Sequence, residues 1–304
     1  MRTKINKSKL QIFVEDAVLS ALSLFKVIIL SDFFVKRVKS PEDKRKEAVI
    51  LANAPSLKKS IEEYKEFLQD KDLFAVNFFW KSEYFLELKP KHYIILSTNY
   101  WAEGKTDIND KGRKETFKKL VELTTWPMYL YVPTIAKKHK AWKELIARNP
   151  NIKVHYLNIT PVEGFQWLNF WLYRHNLGMP RPHNVLIPSI KLAIEMQYEK
   201  VYLFGAEHSW LQSIYVAENN KVYLVQRHFY DKKAPKAEVM YKGTTNEERN
   251  LADVLTKFVY TFQSYYELED YARKNGVKIL NATKDSYIDA FDRINLHKTL
   301  RNKS

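Results

Sequence analysis

The fold is decided by one stretch, Ala48-Val49-Ile50-Leu51-Ala52-Asn53-Ala54-Pro55-Ser56-Leu57. Its first half is a short apolar run, which predicts a buried strand over residues 48–52. Its second half predicts that a helix begins at once, because Pro55 and Ser56 suit the first turn of a helix. A buried strand that passes directly into a helix is the opening unit of an α/β fold.

The same alternation continues along the chain. Further strands are predicted at 73–77, 93–97, 128–132, 153–157, 200–205 and 277–280, and helices near 56–69, 110–123, 136–147, 162–174, 184–197 and 246–274. Strands separated by helices predict a Rossmann-like, mostly parallel sheet with helices on both faces. We expect residues 47–304 to form this α/β unit as a single domain.

Residues 206–245 depart from this alternation and are rich in aromatic, basic and histidine residues. They contain a predicted hairpin, with strands at 213–217 and 222–226 around Asn219 and Asn220. Such an excursion on an α/β core commonly covers a ligand site. We therefore predict a lid, and residues 206–245 are called the lid segment below.

Residues 1–39 precede the first strand and predict an amphipathic helical segment. Its large apolar residues recur at helical spacing, at Ile12, Phe13, Leu19, Leu22, Ile29 and Phe33, with basic residues at both ends. Lys26 and Asp32 interrupt the apolar run, so no transmembrane helix is predicted. Two interpretations stay open, an in-plane helix on a membrane surface and ordinary packing against protein.

Composition limits the classes of function. The 304 residues carry a net charge of +15 and no cysteine, so an anionic partner is expected and a disulfide framework or a thiolate zinc site is not. The lysines are scattered among acids along predicted helices, and no nucleic-acid-binding motif is evident, so no nucleic-acid partner is predicted. No His-x-x-x-His pair occurs, and no metal site is predicted.

Polar side chains lie at the carboxyl ends of the first three predicted strands. Asn53 follows the first strand, Asn77 ends the second, and Ser97 ends the third, with Asn99 just after it. The carboxyl ends of parallel strands line the ligand crevice of such a sheet, and asparagine can read donors and acceptors on a base or a ribose. The alternative is that each asparagine only caps the helix that follows it.

These residues also carry a resemblance. The run 49–57, the strand end Phe74-Ala75-Val76-Asn77 and the late run Tyr202-Leu203-Phe204-Gly205-Ala206-Glu207 resemble the bacterial sialyltransferases of glycosyltransferase family 42. They are also similar to a related superfamily that contains flagellin-modifying glycosyltransferases and archaeal hydroxymethylpterin diphosphokinases. The resemblance covers roughly residues 48–99 and 184–215 and implies a site for a cytidine nucleotide. Strand ends and resemblance together predict the nucleotide-binding set Asn53, Ala54, Pro55, Ser56, Asn77, Ser97, Asn99, Asn184 and Gly205.

The chain departs from the family pattern at several positions. Ala52 and Ala54 replace two motif glycines, and Glu207 replaces an aspartate. A lid tyrosine of the family falls on Tyr215 by spacing, whereas the family's catalytic histidine has no counterpart that aligns.

The chemistry candidates lie in the lid segment. A sugar transferase needs a base for the acceptor hydroxyl, and His208 and His228 suit this task, with Glu207 as the next candidate. It also needs groups that stabilise the departing phosphate, for which Arg227, Tyr215 and Tyr230 are expected. Apart from the donor itself, no cofactor is expected.

The predicted function is a glycosyltransferase that uses a nucleotide-activated sugar to modify a bacterial surface glycan or its precursor, and a CMP-linked donor is expected. The expected partners are this donor, a glycan or lipid-linked glycan acceptor and an anionic membrane surface; a homo-oligomer is left open. The expected location is the cytoplasm, at the inner face of the cell membrane. Two alternatives remain: an ATP-dependent diphosphokinase for a pterin-like hydroxyl, which requires Mg²⁺, and a non-catalytic scaffold on the membrane surface.

Overall fold

A parallel eight-stranded sheet is the centre of the computed structural model, which describes residues 7–101, 110–231, 234, 236–242 and 247–301. Its strands are β1 (Glu47–Leu51), β2 (Asp72–Val76), β3 (His92–Ile94), β4 (Met128–Pro133), β5 (Ile152–Leu157), β6 (Lys200–Phe204), β10 (Lys278–Asn281) and β11 (Asp292–Arg293); β7 to β9 belong to the lid segment and are described below. The strand order is β11-β10-β6-β1-β2-β3-β4-β5, and every neighbouring pair is parallel. The predicted Rossmann-like α/β fold is confirmed.

The strand order creates a crevice beside β1. From β1 the chain proceeds outward through β2, β3, β4 and β5, and it then returns to place β6 on the other side of β1. The loops after β1 and β6 therefore leave the sheet in opposite directions. In open α/β sheets this switch point, at the carboxyl ends of the strands, is where ligands bind.

The seven predicted strands of this sheet are confirmed. The largest difference is at β3, which ends at Ile94 rather than at residue 97. The prediction missed β11, because two residues are too few for a periodic pattern. Side chains alternate across β1, so that Val49 and Leu51 join one apolar cluster while Ala48 and Ile50 join the other. The core therefore has two layers, one on each face of the sheet.

Ten α-helices are found in the described ranges. They are α1 (Lys9–Leu30), α2 (Leu57–Glu63), α3 (Lys65–Gln69), α4 (Tyr84–Leu88), α5 (Asp110–Leu123), α6 (Lys140–Ile146), α7 (Gln166–Arg174), α8 (Leu186–Glu195), α9 (Leu251–Lys274) and α10 (Leu296–Arg301). Helices on both faces were predicted and are confirmed, although α4 and α10 were not foreseen.

Several predicted helix bounds were wrong. The helix at 56–69 is divided at Tyr64, whose backbone leaves the helical region, and the helix at 136–147 begins at Lys140 after a 3₁₀ turn, Thr134–Lys138. The helix at 162–174 begins at Gln166, because Gly164 has a φ of +116°, which no helix accepts. The predicted start of the last long helix, residue 246, lies outside the described residues; α9 begins at Leu251, after the Asn250 side chain caps the Asp253 amide.

The N-terminal helix α1 packs on the body through its polar side. Its buried residues are Ser20, Ser23 and Val27. Most of its large apolar residues face outward instead, and of the predicted stripe only Ile12 and Leu19 are half-buried. Across the described ranges, no helix has the length and apolar character needed to cross a bilayer.

The lid segment forms a small antiparallel sheet of its own. The predicted hairpin is confirmed, with β7 (Ile214–Val216) paired to β8 (Val222–Val225), and a third strand, β9 (Ala237–Val239), was missed. Val222 on β8 shares a small apolar cluster with Val254 and Phe258 of α9. The lid segment is thus packed on α9 beside the sheet.

Candidate functional site

A cavity of about 790 Å³ lies at the carboxyl ends of β1, β2, β3 and β6. Of the residues predicted as site residues, those that line it are Asn53, Ala54, Pro55, Asn77, Ser97, Asn99, Asn184, Gly205, Glu207, His208, Arg227 and His228. Its size falls within the ~300–1,000 Å³ range of small-molecule sites in proteins. The fold therefore brings four strand ends and the lid segment to one cavity.

Gly205 sets how closely the ends of β1 and β6 approach each other. It has a φ of +66°, and a Cβ at this position would lie 2.3 Å from the Ala52 carbonyl oxygen and 2.7 Å from the Leu57 Cβ. The Ala54 amide donates to the Gly205 carbonyl at 3.1 Å, which joins the two loops. The floor of the cavity thus depends on a residue without a side chain.

Asn53 and Asn77 present amides from adjacent strand ends. The Asn53 Nδ2 donates to the Val76 carbonyl at 3.0 Å, while its Oδ1 is buried with no hydrogen-bond partner among the described residues. Asn77 has a φ of +49°, a left-handed conformation that asparagine tolerates better than most residues. An unpaired buried oxygen beside a cavity is a group that a ligand or a water can satisfy.

A hydrogen-bonded chain runs from Asn184 through Tyr265 to His208. The Asn184 Oδ1 accepts from the Leu186 amide at 2.9 Å, so its Nδ2 is the end that donates to the Tyr265 hydroxyl at 2.8 Å. The single hydroxyl proton of Tyr265 is then free to be donated to the His208 Nε2, 2.6 Å away. Asn184 lines the cavity, yet both ends of its amide are already bonded within the protein.

These hydrogen bonds fix the orientation and the tautomer of His208. Its Nε2 accepts from Tyr265, and a hydrogen bond to the Ala206 backbone holds the ring as well. Burial lowers the pKa of His208 to about 3, so the ring is neutral near pH 7. A base of this pKa whose lone pair is already bonded is poorly matched to taking a proton at neutral pH.

The lowered pKa of His208 predicts that acid destabilises the protein. The unfolded chain takes up this proton near pH 6.5, whereas the folded protein does so near pH 3, so the unfolded state binds more protons between these values. Stability therefore falls as the pH drops below 6.5, by on the order of 1–2 kcal/mol between pH 7 and pH 5 for this group. Urea denaturation at both pH values measures the difference.

His208→Asn should shrink this pH difference, and His175→Asn, which replaces an exposed histidine just after α7, is the control for the loss of a histidine. An undiminished difference in His208→Asn would show that His208 titrates alike in both states.

His228 is held by a carboxylate. The Asp231 Oδ2 accepts from the His228 backbone amide at 2.8 Å and lies 3.3 Å from the His228 Nδ1. The Tyr230 ring stacks on the imidazole, with ring centres 5.1 Å apart. The next residue, Phe229, donates its amide to the Asn53 carbonyl at 3.1 Å, which ties this segment to the end of β1. A carboxylate on Nδ1 sets the tautomer and leaves Nε2 for a substrate.

The carboxylate of Glu207, from the loop after β6, lies at the start of α2. Its Oε1 accepts from the Ser56 amide at 2.7 Å, and its Oε2 is buried with no partner among the described residues. Ser56 was predicted to contact the nucleotide, but it does not line the cavity, and its amide is already bonded to Glu207. The carboxylate thus already occupies the Ser56 amide, which was expected to be available to the nucleotide.

Two of the three residues predicted for the leaving phosphate lie away from the cavity lining. Tyr215 is 47% exposed on β7 and stacks on Tyr223, while Tyr230 lies behind His228. Strand β7 turns Tyr215 outward because the lid segment packs on α9. Arg227 does line the cavity, with an exposed side chain.

The lining residues that were not among the predicted site residues include His183, Trp210 and Gln226. His183 is the most informative, since burial together with Lys257 lowers its pKa to about 4, and its Nε2 has no partner among the described residues. Its position just before a predicted helix was the available signal. The Trp210 ring lies 4.3 Å from that of His208 and forms part of the wall.

Glu207, His208, His228 and Asp231 do not gather as metal ligands. Within the described ranges, no three His, Asp or Glu side chains lie close enough to bind a metal ion together. Asp231 instead pairs with His228. No residues are therefore assigned to Mg²⁺.

Comparison with known proteins gives a structural likeness at low sequence identity. No protein-family model and no curated protein matches the chain. Among solved structures, the chain is similar to the MAf glycosyltransferase from Magnetospirillum magneticum AMB-1, with 10% identity and a TM-score of 0.47 over 95% of this chain. The match covers 39% of that protein, so this chain spans about two fifths of its length. At this identity and TM-score, the likeness assigns neither a substrate nor an activity.

Proposed function

We propose that the protein is a glycosyltransferase that binds a nucleotide sugar in the cavity beside β1. The observation that carries the proposal is the set of buried polar atoms without partners on residues that line this cavity. These are the Asn53 Oδ1, the His183 Nε2 and the Glu207 Oε2, all without a partner in the described part of the chain. An unpaired buried polar atom costs ~1–3 kcal/mol, and a polar ligand offsets this cost.

The position and size of the cavity support a nucleotide-bearing ligand. It lies at the switch point between β1 and β6, where open α/β sheets bind nucleotides. The amides of Asn53 and Asn77 suit a base or a ribose, and a volume of about 790 Å³ leaves room for an attached sugar. A CMP-linked donor is the finer proposal, and it rests on the resemblance of these strand ends alone.

His228 is the proposed general base. The acceptor hydroxyl oxygen attacks the anomeric carbon of the donor sugar, and the bond from that carbon to the phosphate oxygen breaks. The bonding electron pair leaves on the phosphate, and the hydroxyl proton passes to the His228 Nε2. Asp231, bonded at Nδ1, stabilises the imidazolium that forms.

Arg227 is the proposed partner of the leaving phosphate. It lies on the cavity lining directly before His228 in the chain, and its guanidinium keeps its charge at any working pH. A cation at this position offsets the negative charge that develops on the phosphate. His208 is instead assigned a positioning role, because its Nε2 is bonded to Tyr265.

The acceptor and the location are proposed at a coarser level. We propose a surface glycan or its precursor as acceptor and the inner face of the cell membrane as the place of action. The outward apolar side of α1 supports the second of these.

Nucleotide binding is the first test. A thermal shift series is run with cytidine, uridine and guanosine nucleotides, their nucleotide sugars and ATP, each with and without Mg²⁺. We expect stabilisation by one base class that does not depend on the metal. A shift by ATP that requires Mg²⁺ would favour the diphosphokinase alternative. Absence of a shift by every nucleotide and nucleotide sugar would refute the proposed function.

Asn77→Ala is expected to weaken nucleotide binding by roughly 1–3 kcal/mol, about 5- to 150-fold, because a buried contact to base or ribose is lost. Isothermal titration with the nucleotide selected above measures the change. Asn220→Ala is a matched control, since Asn220 also has a left-handed backbone, with a φ of +59°, but lies at the hairpin tip outside the cavity lining. Equal affinity in Asn77→Ala and the control would remove Asn77 from the site.

A further inference from the structure

Helix α1 exposes an unusually apolar face. Its outward side chains are 42–72% exposed, and they are Leu10, Phe13, Val14, Val18, Leu22, Leu24, Phe25, Ile28, Ile29 and Leu30. Phe33 and Phe34 follow in the next turn, 57% and 93% exposed. Contiguous apolar surface of this kind on a folded protein marks an interaction site.

The orientation of α1 is fixed by hydrogen bonds on its other side. The Ser23 hydroxyl bonds both the amide and the carbonyl of Glu163 at 2.8 Å, and the Ser20 hydroxyl accepts from the Phe165 amide at 2.8 Å. At the end of the helix, the Ser31 hydroxyl lies 2.7 Å from the Thr160 Oγ1. Turning the apolar side inward would break these buried bonds, so the helix is built to keep that side outward.

The apolar face continues onto α7. The Phe13 ring lies 5.4 Å from that of Phe165, which stacks in turn on Trp167 at 6.4 Å. Trp167 and Trp171 are 64% and 50% exposed on the outer side of α7. We define the α1/α7 apolar surface as the outward residues of α1 given above together with Phe33, Phe34, Trp167 and Trp171.

Exposed basic residues accompany this surface. They are Lys9, Lys36, Arg37, Lys39 and Arg174. Of the three acids in residues 7–39, Glu15 pairs with Lys7 and Asp32 with Lys137, both at 2.7 Å, and Asp16 is half-buried. The surface therefore combines an apolar centre with a positive margin.

We propose that the α1/α7 apolar surface docks in the plane of an anionic lipid bilayer. A helix of 22 residues is about 33 Å long, so it can lie flat with its aromatic and aliphatic side chains among the headgroups and upper acyl chains. Exposed tryptophans prefer this depth. The positive margin attracts anionic lipid, whereas it would repel the identical margin of a second copy.

The docking surface and the cavity share one loop. Thr160, which bonds Ser31 of the α1 end, is adjacent to Ile159, which lines the cavity. Docking therefore holds one edge of the cavity near the bilayer. Resting on the proposed function, this placement favours an acceptor that is attached to lipid.

Vesicle cosedimentation of the full chain tests the proposal. Parent protein should bind vesicles of phosphatidylglycerol and phosphatidylcholine, and binding should fall at least roughly tenfold for Leu22→Glu/Phe25→Glu, because two charges enter the apolar side. Leu86→Glu is the matched control, since Leu86 is also 50% exposed but lies on α4, whose neighbouring core residue Phe85 belongs to the other face of the sheet. Point substitutions are sharper than removal of residues 1–39, which would also take Val27 and Val38 out of the core.

Lipid-borne quenchers locate the surface. Brominated phosphatidylcholine in the anionic vesicles should quench fluorescence of the parent protein, and Trp167→Phe/Trp171→Phe should abolish the quenching, since the other described tryptophans are buried or half-buried.

Equal vesicle binding by parent and Leu22→Glu/Phe25→Glu would overturn the proposal. So would a parent dimer that the same substitutions dissociate and that does not bind vesicles. The nucleotide thermal shift should be the same in parent and substituted protein, so failure of docking and failure of the proposed function are distinguishable.

Discussion

His228→Ala is expected to lower turnover by roughly 10²- to 10⁴-fold with little loss of stability, because a general base contributes a factor of this size. The side chain is 41% exposed, so its removal leaves no large void in the core. Turnover is measured with the donor selected by nucleotide binding, and the melting temperature is measured in parallel.

His208→Ala is the comparison that gives this result its meaning. Loss of His208 breaks its bond to Tyr265, so the melting temperature should fall first and turnover should fall less at a temperature where the variant stays folded. Asp231→Asn should also lower turnover, since the carboxylate no longer supports the imidazolium. If His228→Ala and His208→Ala both keep turnover within about threefold of the parent, well short of that loss, neither histidine is the base and Glu207 becomes the candidate.

Gly205→Ala is expected to destabilise the protein by roughly 2–5 kcal/mol, a large part of a typical unfolding free energy of about 5–15 kcal/mol. Two costs add. A left-handed backbone strains any residue with a Cβ, and here the new methyl would lie 2.3 Å from the Ala52 carbonyl oxygen, so the ends of β1 and β6 must separate. Urea denaturation measures the loss, and nucleotide affinity should fall as well.

Gly276→Ala isolates the backbone cost. Gly276 follows α9 with a φ of +70°, and no atom lies within 4 Å of where its Cβ would be. This variant should therefore lose only about 1 kcal/mol. If Gly205→Ala and Gly276→Ala lose the same free energy of unfolding, the close approach of the two strand ends contributes nothing to stability.

The strands and the class of fold could be predicted because their signals are local. The apolar runs of β1, β2 and β6 are buried on both faces, as in parallel sheets, and turn residues bound them. The placement of Asn53, Asn77 and Gly205 at strand ends follows from those bounds, and all three line the cavity. Short elements such as β9 and β11 escaped prediction because three or two residues carry no period.

The roles within the site were decided by contacts between distant segments. Nothing in residues 207–210 indicates that Tyr265, on α9, bonds the His208 Nε2, or that Glu207 takes the Ser56 amide. Tyr215 was predicted to face the donor, yet the packing of the lid segment on α9 turns it outward. Such contacts depend on how the chain folds back on itself, which a local pattern does not encode.

The sequence by itself determined that residues 1–39 contain an amphipathic helix, which the structure has at Lys9–Leu30, because helical spacing of large apolar residues is a local property. Only the tertiary structure decided which side of that helix faces the protein. Ser20 and Ser23 bond a loop about 140 residues away, and those buried hydrogen bonds hold the apolar side outward. Periodicity reports that a helix has two faces, whereas the partners that each face meets depend on strand order and loop placement, which the sequence specifies only through the folded chain as a whole.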